Sequence, residues 1–145
     1  MEPATHLAPF VELLAEEGFR PRVEGEGDEA FISFKWEGVS FLMVPDPAES
    51  RFFHLVARYE LPRPLDYDLL LAANELNAAW KVVKAVVVAA EGAIDFHFEA
   101  HLGEQGSMAP LLARALPALR SGAAHFFKEV SCDAANSDDL PKFAN

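Results

Sequence analysis

Phe31-Ile32-Ser33-Phe34-Lys35-Trp36-Glu37-Gly38-Val39-Ser40-Phe41-Leu42-Met43-Val44 is the stretch whose reading decides the fold. Ile32, Phe34 and Trp36 alternate with Ser33 and Lys35, the period of two that places alternate side chains on opposite faces of a strand. Glu37-Gly38 is a tight-turn pair, and Val39 to Val44 returns as a second strand. So short a connection demands an antiparallel hairpin.

Working outward, Pro45 to Ser50 is a second turn, and Arg51 to Glu60 a third strand. In it Phe53, Leu55, Ala57 and Tyr59 oppose Phe52, His54, Val56 and Arg58. Phe19 to Gly25 adds a short edge strand ahead of the hairpin. Before that, Leu7, Phe10, Val11 and Leu14 recur at three- and four-residue spacing and predict a helix over 5–17. Thr5 is expected to cap it, Pro9 sits in its first turn, and Gly18 stops it.

Downstream, Leu61-Pro62-Arg63-Pro64 breaks the alternation, and Asp66 caps a helix to about Ala79. Val82 to Ala90 and Ala93 to Leu102 form a second hairpin about Glu91-Gly92. Ser107 is expected to cap a long final helix reaching Val130, kinked or interrupted at Pro117 and loosened at Gly122. The order α-β-β-β-(β)-α-β-β-α predicts an α+β domain, an antiparallel sheet covered by helices. One domain is expected over 1–132, with 133–145 a disordered acidic tail fraying from about Ser131.

The chain has 145 residues, enough to bury roughly 70% of its unfolded surface. Half of it is hydrophobic (51%), so the core needs no cross-link. Cys132, the single cysteine, excludes an intramolecular disulfide and fits a reducing compartment. The start lacks the pattern of a secretory signal, and the longest apolar run, Ala85 to Ala90, falls far short of the ~20 residues that span a bilayer. A soluble cytoplasmic protein is the expectation. A net charge of −11 repels polyanions, which argues against direct nucleic-acid binding.

Catalytic signatures are missing. No serine stands in a Gly-x-Ser-x-Gly setting, and Asp133 beside Cys132 disfavours a thiolate. Gly25-Glu26-Gly27-Asp28-Glu29 is too acidic to cradle phosphates. We therefore expect no enzyme and no cofactor. One polar row stands out: Asp95, His97, Glu99 and His101 share a strand face at ~6.5–7 Å intervals. His97, Glu99 and His101 could ligate a metal or small ligand if a neighbouring strand added a group such as His54. The plainer account is a sheet with one apolar and one solvated face, and no metal is the expectation. Asn74 and Asn77, three apart on the second helix, face one way. Their amides are expected to bond nearby backbone, with a recognition site the functional alternative. On the last helix Leu111, Ala118 and His125 lie off the main apolar stripe and could form an intermolecular face.

The order of elements, with Phe31-Ile32-Ser33-Phe34, Ala73-Asn74-Glu75-Leu76-Asn77 and Phe96-His97-Phe98-Glu99-Ala100, resembles the bacterial YbjN family of sensory-transduction regulators. The resemblance implies the fold of type III secretion chaperones, a homodimer, and a non-enzymatic adaptor, regulator or chaperone-like module that holds a protein client. It brings no catalytic residues. The alternatives are a dedicated secretion chaperone and a ligand- or metal-binding domain on the His97 strand.

Overall fold

The computed structural model describes residues 5–103 and 106–137. In chain order it contains α1 (Ala8–Glu16), β1 (Arg22–Glu24), β2 (Phe31–Trp36), β3 (Val39–Met43), β4 (Phe52–Glu60), α2 (Tyr67–Ala79), β5 (Val83–Val88), β6 (Ala93–His101) and α3 (Met108–Glu129). The strands form one six-stranded sheet, ordered β1-β2-β3-β4-β6-β5, antiparallel throughout. The expected α+β architecture is present, including the short edge strand.

At the deciding hairpin, Trp36 pairs with Val39, and Glu37 and Gly38 both take positive φ, 49° and 80°. A two-residue turn of that hand matches the right-handed twist of its strands. Ile32, Phe34, Phe41, Met43, Phe53, Leu55, Ala57, Tyr59, Ile94, Phe96 and Phe98 then fall on one sheet face, and α1, α2 and α3 cover it. Phe96 packs edge-on against Tyr59 and Phe126, the geometry favoured by aromatic quadrupoles. Arg120 of α3 pairs with Glu37 and lies 5.6 Å over the Trp36 ring, tying the last helix to the first hairpin.

Three local expectations are corrected. Thr5 does not cap α1: Thr5–Leu7 is a 3-10 turn, and Leu7 holds the capping position without a side-chain bond. Ser107 occupies the capping position of α3 but likewise makes no capping bond. Pro117 does not interrupt α3, which continues through it to Glu129. Ala113, four residues earlier, and Pro117 are both exposed, so the carbonyl that loses its partner lies on the solvent side and water can satisfy it.

Gly122 sets the distance between α3 and the sheet. It is buried, and a Cβ there would lie 2.9 Å from Cγ1 of Val83. Gly122→Ala gains about 1 kcal/mol of helix propensity but forces a methyl group against a stiff β-branched neighbour, at about 1–3 kcal/mol. A net loss of about 1 kcal/mol is expected in a denaturant titration, where a helix glycine on an open surface would show a gain.

The end of the described chain departs most from expectation. β3 pairs with β4 at Leu42–Val56 and Met43–Leu55, with the Val44 amide bonded to His54 O at 3.0 Å beyond them, but toward Ser40 and Arg58 the strands part. Residues 135–137 fill the wedge: the Glu60 amide donates to Ala135 O (2.9 Å) and the Ser137 amide to Arg58 O (2.9 Å). Asn136 bridges both strands, accepting from the Ser40 amide at 2.8 Å and donating to Arg58 O at 2.9 Å. Against the fraying expected from Ser131, residues 135–137 are bonded into the sheet, because parted strands leave backbone groups that need partners. The rest of the expected tail, 138–145, lies outside the described residues.

Candidate functional site

Every helix packs on one side of the sheet, so the alternate side chains gather on a face that carries no helix among the described residues. Phe31, Leu42 and Val56 form a small buried cluster there, with Val44 against it. Around this cluster the polar groups fall into three sets.

The first is an ion network. Arg58 and Asp95 are partners in the β4–β6 register and only 6% and 4% exposed. The guanidinium donates from Nε to Asp95 Oδ1 at 2.6 Å and from Nη2 to Oδ2 at 2.8 Å. Its Nη1 reaches Glu91 at 2.8 Å. The bond to Asp95 raises the Arg58 pKa above its ordinary value, against the effect of burial. Two parallel bonds hold the fork in one plane. Sequence reading missed this pair; Arg58 and Asp95 stand only as outward positions of two alternating strands, and nothing local gives their register.

The second set is the histidine row. The registers bring His54 of β4 opposite Glu99 of β6 and diagonal to His97. His54 Nε2 lies 2.8 Å from His97 Nδ1 and 3.4 Å from Glu99 Oε1; His97 Nδ1 is 4.0 Å from the same oxygen. The imidazoles stack, with centroids 5.1 Å apart and planes at 26°. Burial first, then the neighbouring His97 and Lys84, holds the His54 pKa down at about 4, against the opposing pull of Glu99. Burial also lowers His97, opposed by Asp95 and Glu99. Both rings are therefore neutral near pH 7 and keep a lone pair. His101 does not join them: it is exposed and its ring sits 4.9 Å from that of Phe52.

The third set lines a cavity of about 600 Å³ between the β1 edge and the β3–β4 wedge. Arg20, Arg22 and Lys35 bring positive charge to it, and Phe34 and Leu42 apolar surface. Glu24 reaches Arg22 at 3.7 Å and accepts from Ser33 Oγ at 3.4 Å. This gathering of cations contrasts with the −11 of the whole chain.

The asparagine pair divides. Asn77 bonds both backbone groups of Ala85, accepting from its N–H at 2.6 Å and donating to its carbonyl at 2.9 Å. Since β5 is a sheet edge, the amide occupies groups that another strand could otherwise pair with. Asn74 is exposed and takes no part in that bonding. On α3, Leu111 and Ala118 are half-buried at the margin of the core, and His125 lies exposed with its ring 5.4 Å from Trp80. The larger exposed apolar side chains of the helices are on α2, at Tyr67, Leu70 and Leu71. No helix among the described residues is long and apolar enough to cross a membrane.

Fold and face together define an α+β domain with helices on one side of an antiparallel sheet and polar groups organised on the other. No protein-family model, curated protein or solved structure matches the chain.

Proposed function

We propose that this protein is a non-enzymatic protein-binding module of the adaptor, regulator or chaperone-like kind that the YbjN resemblance implies. The observation that carries the reading is the mixed cationic and apolar cavity on the helix-free sheet face. An extended client segment laid across it would meet Arg20, Arg22 and Lys35 with its acidic side chains and Leu42 with its apolar ones. Long-range attraction speeds such an encounter, and apolar contact holds it. Alternate side chains of an extended segment point to one side, which suits a sheet surface. A homodimer and a cytoplasmic setting belong to the same proposal.

Arg22 is the position from which to test it, because its side chain is 80% exposed at the cavity. A photo-crosslinking residue placed there should label a discrete protein in native lysate, and the label should fall in high salt. The same probe at Ala113, exposed on α3, serves as the control. Equal labelling from both positions, or none from position 22, counts against the reading, as does turnover of a substrate by protein that labels nothing.

A further inference from the structure

We propose that His54, His97 and Glu99 form a binding site for one divalent first-row transition-metal ion. The site uses residues outside the cationic cavity and stands independently of the protein-binding reading.

The geometry supports it first. A tetrahedral ion with bonds of ~2.0–2.2 Å to nitrogen and oxygen holds its donors roughly 3.3–3.5 Å apart. The three donor separations here are 2.8, 3.4 and 4.0 Å, scattered evenly about that value. All three atoms lie within 4.8 Å of one another. Closing on an ion requires the two nitrogens to separate by ~0.5 Å and the carboxylate to approach His97 by a similar amount. Glu99 can supply that movement, since its side chain is 42% exposed.

The scaffold supports it next. β4 and β6 are interior neighbours joined by nine registered residue pairs, so the three Cα positions are held by a continuous ladder. Ligands on strands are placed more firmly than ligands on loops. The short His54–His97 contact is one hydrogen bond, in which one imidazole donates to the other. An ion takes the place of that proton, which moves to the other nitrogen of the same ring. Both rings then present lone pairs and remain neutral, the form in which imidazole ligates.

Ligand chemistry selects the class of ion. Two imidazoles and one carboxylate suit zinc, nickel, copper or iron(II), whereas calcium and magnesium take oxygen ligands. Three protein ligands leave a further position for water or substrate. His97 and Glu99 also line a cavity of about 360 Å³ with Asn77, Trp80 and Lys84. Lys84 is the register partner of His97, and its positive charge opposes a bare dication while favouring an anionic group as the remaining ligand. Of the residues expected to contribute, His54, His97 and Glu99 come together, and His101 stands apart against Phe52.

Tag-free, chelator-stripped full-length protein titrated with Co²⁺ is expected to bind one ion per chain and to develop the visible absorption of a low-symmetry site. Zn²⁺ should displace it. Glu99→Gln, which preserves shape at an exposed position, and His54→Ala should each weaken binding by about 100-fold or more, beyond what loss of an outer-shell group produces. His101→Ala should leave affinity unchanged. Failure of the unaltered protein to bind one equivalent overturns the proposal, and so does loss of binding in His101→Ala with retention in His54→Ala. Because the first outcome needs no variant, a substitution that impairs folding does not protect the idea.

Discussion

Replacing Arg58 by methionine is expected to destabilise the protein by about 3–5 kcal/mol, the cost of leaving a buried ionic partner alone. The reason lies in what remains. Asp95 is 4% exposed and loses both of its bonds from the guanidinium. Glu91 is more accessible, so water can replace its share. The reverse change, Asp95→Ala, should cost less, because Arg58 keeps its 2.8 Å contact with Glu91 and its charge is not orphaned. Removing both charges, as Arg58→Met with Asp95→Leu, should recover most of the loss. Desolvating two ions offsets much of their attraction, and an apolar pair of similar volume avoids that penalty. Urea titrations of the four proteins check this ranking. A loss under about 1 kcal/mol for Arg58→Met would mean that the pair is solvated rather than buried.

Asn136→Ala carries the second largest expected effect, roughly 2–3 kcal/mol. It removes the acceptor of the Ser40 amide and a donor to the Arg58 carbonyl, and a buried group left without its partner costs about 1–3 kcal/mol. Asn136 is half-buried, so water recovers part of the loss. Ending the chain after Cys132 should cost at least as much, since the Ala135 carbonyl and the Ser137 amide go as well. Hydrogen exchange locates the effect. Protection should fall at the Ser40 and Glu60 amides and persist at the β4–β6 ladder. An unchanged denaturation midpoint with unchanged exchange at Ser40 defeats the claim that this segment closes the sheet.

The two predictions bear on function through position. Arg58 lines the cationic cavity beside Ser40 and Ser137, so its pairing with Asp95 and Glu91 would limit how much of its charge the proposed client could use. The wedge that Asn136 bridges forms one wall of that cavity. A client held across the face would be read by a surface whose shape depends on these two structural devices.

Much of the fold was legible in the chain because its signals are local. Alternation over Phe31 to Trp36, the Glu37-Gly38 turn, the Asp66 cap (Leu69 N–H to Oδ1, 2.9 Å) and the left-handed Gly18 (φ 90°) each depend on neighbours a few residues away. The same holds for the bonding role expected of Asn77, which reaches only eight residues along the chain. Local signals mislead at Thr5 and Ser107, where a capping residue is present but the geometry gives its side chain no bond.

By itself the sequence determined the α+β class, the order of elements and the two-faced strands, since those follow from periodicity and turn chemistry. Only the tertiary structure decided that His54 meets His97 and Glu99 while His101 turns to Phe52, that Arg58 bonds Asp95, and that Asn136 enters a sheet 96 residues away from Ser40. Each of those meetings is a matter of strand register and non-local closure. Register follows from packing the whole apolar face at once, so no window along the chain contains it.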